Sequence, residues 1–402
     1  MDILEIVVFT LIGIALGIVS GLLPGIHVNT ISAFILAILP TLSGFSTISI
    51  VIAIVSMAVV NSFLSFIPSI LFGAPDSETV LSVLPGHRML LNGEAIEAIK
   101  LTAIGGLISL IVVLSTFYVS IISIPTLHLF LRGSMHYLLI FVSLIGVLLE
   151  EKPISAAAIF LLSGIFGIIT LNNFGNEVVF PALSGMFGIS TLLLSLNPSI
   201  NIPIQNKIAI TLDRLSIIKN SLLGSFAGVI VGFLPGIGSA QATFLVQQLN
   251  AKQTEKEFLV SNSAVSVGNT LFPLFVLYAI GKTRSGVAIA TKELLGGINF
   301  DLLILILIVA LIAGIASYFL HIKIGSFLTN ILINRKPENY KKISIAVIIF
   351  LIVLSLILTG FIGLLILLIG TLIGLLPQLL GVRRAECMGF FVLTTIIYYA
   401  NF

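Results

Sequence analysis

Charge is what this chain has least of. Asp, Glu, Lys and Arg make up 9% of the 402 residues, against about 25% in a soluble domain. That is too little polar surface to cover a body in water. The single cysteine, Cys387, excludes an intrachain disulfide and a multi-cysteine metal site. Alternating strand-like segments of about ten residues are missing, which excludes a membrane β-barrel. No hydrophilic stretch is long enough for a separate soluble domain, so an ATPase, binding protein or catalytic head has to be another polypeptide. HExxH, P-loop, GxSxG and haem motifs are absent, and the His and acidic residues are too scattered to define a metal site. No cofactor is expected, and no catalytic constellation supports an enzyme. A net charge of +3 is too small to imply nucleic acid.

What is present is apolar. Hydrophobic residues are 58% of the chain, mean hydropathy is +1.23, and apolar runs near twenty residues recur throughout. The fold class is therefore an all-α polytopic protein of the cell membrane, in contact with membrane lipid. The first run, residues 3–22, follows Asp2 and contains Glu5 where a signal peptide has Lys or Arg, and no Ala-x-Ala site follows. It is read as a retained span.

Runs and their breaks predict seven elements in each half. The first set is 3–22, 28–41, 48–72, 97–127, 135–149, 154–171 and 179–197. The second is 215–234, 238–250, 258–280, 301–320, 343–359, 361–378 and 386–401. This gives two transmembrane repeats, 1–197 and 215–402, joined by a polar connector at 198–214, with about 12–14 membrane segments. Two motifs carry the alignment. GLLPGI at 21–26 returns as GFLPGI at 232–237, so Gly21, Pro24 and Gly25 map onto Gly232, Pro235 and Gly236. Asn61, Gly73 and Ser77 map onto Asn269, Gly281 and Ser285 at an offset of 208.

An odd number of crossing elements inverts the second repeat. Basic residues agree with an outside N-terminus: fifteen of the nineteen Lys and Arg then fall in inside loops, and Arg132, Lys282, Arg284 and Lys292 fall outside. The second element of each half is shorter than the ~17 residues a span needs, so these are also candidates for half-helices or re-entrant segments.

Inverted repeats with broken helices are a transporter arrangement, in which substrate and ions bind where unwound backbone and helix ends meet. Pro24 and Pro235 lack an N–H, and Gly21, Gly25, Gly232 and Gly236 allow close backbone approach. The helix behind each break presents N–H groups suited to an anion; a packing kink is the plainer reading. Asn61, Ser62, Asn269 and Thr270 are candidate oxygen ligands for Na⁺, and equally candidates for interhelical hydrogen bonds. The tips carry opposite charge: Gly73, Asp76, Ser77 and Glu78 in the first half, Gly281, Lys282, Arg284 and Ser285 in the second. Arg284 is a candidate bidentate clamp for a carboxylate, with Lys282 a point charge beside it; solvated loop charges are the alternative. His27 reads as a helix-terminal histidine, and Arg383 and Arg384 as orientation charges.

At these residues the chain resembles the large membrane subunit of the tripartite tricarboxylate transporters. The likeness covers nearly the whole chain through GLLPGI, LPGHRMLLNGEAIEAIK in the loop 73–100, FPALSGMFGISTLLL at 180–194, GFLPGIGSAQATF, SNSAVSVGN at 261–269 and GVRRAECMGFFVL at 381–393. The resemblance implies uptake of carboxylates driven by a Na⁺ or H⁺ gradient, assisted by a small membrane subunit and an extracytoplasmic binding protein. The chain departs from the family in being shorter, in its tips GAPDSE and GKTRSG where Gly-Pro-Gly is usual, and in His27 where a small residue is usual. The expected function is a secondary permease for a small anionic metabolite, a di- or tricarboxylate. The alternatives are a permease for another solute and a membrane scaffold or accessory subunit without its own transport path.

Overall fold

The computed structural model describes residues 3–23, 28–37, 39–42, 44–74, 79–131, 133–148, 150–195, 203, 205, 210–233, 239–249, 253–282, 285–333 and 337–400. Every regular element among them is helical. The first half contains α1 (Ile3–Leu22), α2 (Val28–Ala37), α3 (Thr47–Leu64), α4 (Phe66–Phe72), α5 (Val83–Leu91) and α6 (Ala95–Ser115). It continues with α7 (Phe117–Leu131), α8 (Met135–Leu148), α9 (Pro153–Phe174), α10 (Val179–Leu183) and α11 (Ser190–Ser195), the last two joined by a π-helical turn at Ser184–Ile189. The second half contains α12 (Arg214–Phe233), α13 (Ser239–Leu249), α14 (Glu255–Ile280), α15 (Gly286–Leu295), α16 (Phe300–Ile333), α17 (Pro337–Leu380) and α18 (Gly389–Ala400).

Eight of these helical stretches are long and apolar enough to cross a membrane, and the shorter apolar helices Val80–Leu91, Phe117–Phe130, Leu139–Leu148 and Val179–Leu194 accompany them. The run expected at 97–127 is two helices separated at Thr116. The segment 73–100, expected as a loop, is largely helical among its described residues. The boundary expected at 360 is a break inside α17, where Gly360 sits at φ 64°, a region glycine enters without steric cost. Helices α2 and α13, at 10 and 11 residues, reach about 15 Å at 1.5 Å per residue. Neither length crosses a hydrocarbon core of about 30 Å.

The centre of the molecule is the pair of polar spans. Over an apolar 18-residue window in each, the α3–α4 stretch is 100% buried and α14 72%, whereas α17 is 11% buried. Apolar side chains face outward there and elsewhere, Phe361 and Leu129 among them, at 81% and 80% exposure. A surface of that kind suits lipid and would drive association in water. Both central spans end on a glycine in the left-handed region, Gly73 (φ 60°) and Gly281 (φ 64°). The first is interrupted at Ser65, where Pro68 has no N–H to give to the Leu64 carbonyl.

Small residues bring the first helix of each half onto its central span. Gly13, Gly17 and Gly21 of α1 lie against Ala53, Met57 and Leu64 of α3. Gly224, Gly228 and Gly232 of α12 lie against Ser261, Val265 and Phe272 of α14. An offset of 211 relates the glycines and an offset of 208 relates their partners. A Cβ at Gly17 would sit 2.7 Å from the Met57 carbonyl oxygen, and one at Gly228 2.6 Å from that of Val265. Backbones this close need the small-xxx-small pattern.

Other helices cross between the halves. Helix α6 packs on α14, and α16 packs on α3. Helix α18 packs on α9, with Gly389 against the Phe160 carbonyl, while the π-helical turn packs on α17, with Gly185 against the Leu367 carbonyl.

Candidate functional site

A cluster of charged residues gathers where α17 ends. Gly381 (φ 71°) turns the chain, and residues 384–388 form a 3-10 turn before α18. This turn lies outside the membrane-length stretches. Arg383 donates through Nε to Glu150 Oε1 and through Nη2 to Gln248 Oε1 at 3.1 Å. The amide nitrogen of Gln248 in turn donates to Glu386 Oε1 at 3.2 Å. Arg384 points elsewhere. It is 6% exposed, donates through Nη1 to Thr191 Oγ1, and its Nη2 has no hydrogen-bond partner among the described residues.

Arg384 lines a cavity of about 680 Å³, within the ~300–1,000 Å³ typical of small-molecule sites. Its walls come from both halves of the chain: Leu84 and Arg88 of α5, Glu150 and Glu151, Phe187, Gln253 and Phe258, and Arg383 and Arg384. Among the cationic walls, Arg88 pairs with Glu255 at 3.2 Å and Arg383 pairs with Glu150. No ion pair among the described residues uses Arg384. Burial lowers its guanidinium to about 10, so it stays charged at neutral pH. A buried charge is expensive unless paired, and a carboxylate matches the two-pronged face of a guanidinium. Three arginines, Arg88, Arg383 and Arg384, and three glutamates, Glu150, Glu151 and Glu255, line the cavity, which has the size of a small-molecule site. Arg384 is the arginine that no ion pair among the described residues uses, and its guanidinium suits a carboxylate group.

A second polar cluster fastens the halves together. Lys256 Nζ reaches Glu94 and Glu97, each at 2.9 Å, and Glu97 accepts from the backbone and hydroxyl of Thr211 at 2.7 and 2.8 Å. Gln205 accepts from Ala95 N and donates to the Leu90 carbonyl. The described part of the connector is thus bonded to α5 and α6.

The residues singled out from sequence fall in three groups. Pro24, Gly25, His27, Asp76, Ser77, Glu78, Pro235, Gly236 and Arg284 lie outside the described residues. Asn61 is buried and donates to Ser20 Oγ at 3.1 Å, one residue before the first motif. Asn269 donates to Ser239 Oγ at 3.0 Å, at the first residue of α13 behind the second motif. Ser62 and Thr270 donate to carbonyls of their own helices, Val59 and Ser266. In the third group, Lys282 is exposed and meets His128 Nε2 at 2.8 Å, and Ser285 accepts from Ala288 N as the N-cap of α15. The asparagines thus bond to the residue before the first motif and to a residue behind the second, while Arg384, read from sequence as an orientation charge, lines the cavity. The signal available there was two adjacent arginines at the foot of a span, which also serves orientation.

The model described as Tripartite tricarboxylate transporter TctA family matches residues 7–389. Uncharacterized protein MJ1079 of Methanocaldococcus jannaschii is 31% identical over 353 residues, which is 85% of each chain. No solved structure matches the chain.

Proposed function

The chain belongs to the tripartite tricarboxylate transporter TctA family, and from that premise we propose that it is a secondary active permease for a small organic anion. The substrate class is a di- or tricarboxylate, and transport runs by ion-coupled alternating access between two repeats of opposite orientation. The family is one of transporters and not of enzymes. One observation carries the substrate class: a buried arginine that has no counter-ion among the described residues, in a cavity of small-molecule size. The repeat reading is supported by the matched glycine stripes and by the helices that each half lends to the other's central span. The motif regions 21–27 and 232–238, which respectively follow Ser20 and precede Ser239, the partners of Asn61 and Asn269, are the places where a moving element would hinge. A small membrane subunit and an extracytoplasmic binding protein are the partners proposed from the family, and Na⁺ or H⁺ is the coupling ion.

Reconstitution tests this. Purified protein in liposomes is expected to take up labelled citrate or a C4 dicarboxylate when a Na⁺ or H⁺ gradient is imposed. Arg384→Ala is expected to lose at least 90% of that uptake, and Lys292→Ala, an exposed change outside the cavity, to keep it. Folded protein that moves no member of a broad carboxylate panel, alone or with its partner subunits, would favour a scaffold role instead. Equal uptake by the two variants would remove Arg384 from the site.

A further inference from the structure

We propose that Glu386 is a proton-binding residue of this permease and that its protonation state is passed to α13 through Gln248. The proposal rests on the permease reading for its use in transport, and on geometry for the site itself. Glu386 is fully buried. Its Oε1 accepts from Gln248, and its Oε2 has no partner among the described residues. A charged carboxylate with one bare oxygen in a dry site is costly. A neutral one places the proton on Oε2 and keeps the bond from Gln248 on Oε1.

The surroundings offer little to hold the charge. Helices α9, α13 and α18 and residues 344–380 of α17, which pack around the turn, contain no Asp, Glu, Lys or Arg. From α9 comes only the Ser163 hydroxyl, which donates to the Glu386 carbonyl. The charged groups that act on the carboxyl are Arg383, which favours ionisation, and Glu150, which opposes it. Its own turn adds Arg384, directed to the cavity, and the Cys387 thiol, held neutral by burial. Burial dominates and pushes Glu386 up to about 7.

The route outward is short. Gln248 links Glu386 to Arg383, and Arg383 and Glu150 line the cavity. Gln248 also lies at the far end of α13, the helix behind the second Gly-x-x-Pro-Gly motif. Ionised Glu386 makes a charge-assisted bond to Gln248 and holds α13 in place. Protonated Glu386 holds it more weakly.

Two measurements need no substrate. In pH-difference infrared spectra of the purified protein, a buried carboxylic acid band is expected to disappear with a midpoint near pH 7 and to be absent from Glu386→Gln. Gln248→Ala, which removes the donor that favours ionisation, is expected to raise the midpoint by about one pH unit. At a fixed pH of 8, amides 239–249 are expected to exchange deuterium faster in Glu386→Gln than in wild type. No titrating carboxyl, or the same band in Glu386→Gln, overturns the proton site; unchanged exchange overturns the link to α13. In liposomes, with citrate as probe, Glu386→Gln is expected to keep citrate/citrate exchange and lose accumulation driven by a pH gradient. Retained accumulation overturns the coupling role. Wild type that fails to exchange citrate counts against the permease reading, and the infrared result then still decides Glu386.

Discussion

At the scale of single residues, the turn at 384–388 separates two jobs between neighbours. Arg384 presents a permanent charge to the cavity, while Glu386 lies behind it in a site where burial opposes ionisation. Replacing Arg384 by Lys keeps the charge and loses the two-pronged geometry. The expected result is carboxylate uptake reduced on the order of tenfold or more, since a hydrogen bond to a charged group contributes about 1.5–3 kcal/mol. Glu386 makes a prediction for stability. Its folded value near 7 lies above the ordinary 4.5, so the folded protein holds this proton more tightly than the unfolded chain. The contribution is full below about pH 4.5 and is lost as pH rises through 7, a difference on the order of 3 kcal/mol. Thermal unfolding in detergent is expected to show wild type losing stability from pH 5 to pH 8 and Glu386→Gln losing less; parallel pH profiles would contradict this.

The residue scale also shows why part of the site was hidden. Two arginines after a long apolar run carry the same letters whether they face water or a buried cavity. Asn61 and Asn269 were easier, because an amide inside an apolar run must find a partner and each is bonded to a neighbouring helix. Which neighbour it is, α1 in one half and α13 in the other, is not written in the local sequence.

At the scale of elements, the packing of α1 on α3 and of α12 on α14 depends on absent side chains. Gly17→Val and Gly228→Val place a branched side chain into a backbone carbonyl of the partner helix, and each is expected to destabilise the protein by about 1–3 kcal/mol or more. Gly44→Val is the control, because nothing lies within 4 Å of its added Cβ. Unfolding midpoints in detergent measure all three, and equal midpoints would mean that the helices do not meet in this way. Element boundaries were legible wherever a local cause fixed them. Gly73, Gly281 and Gly360 end or break helices at the positions their sequence implies. The helix α5 was less legible, since LPGHRMLL opens with Pro and Gly and reads as a loop until packing against α4 and α6 favours the helix.

At the scale of the molecule, the crossed packing of α6 on α14 and α16 on α3 makes each half incomplete alone. The proposed opposite orientation of the repeats has a direct test in intact cells. In a Cys387→Ser background, a cysteine at Gly133, between α7 and α8, is expected to react with an impermeant thiol reagent from outside. One at Lys342, in the equivalent region of the second half, is expected to react only after permeabilisation. Labelling of both from the same side would rule out inversion.

The sequence alone determined the class and the course of the chain. In lipid each backbone polar group needs a partner within its own segment, so apolar runs of this length commit to helices locally, and sparse basic residues suffice to set orientation. Tertiary structure decided which polar groups meet. Arg383 meets Glu150 across 233 positions and Gln248 across 135, and Arg384, at the cavity wall, meets Thr191 of α11 across 193. Desolvation and charge balance are sums over neighbours in space, and those neighbours are distant in the chain.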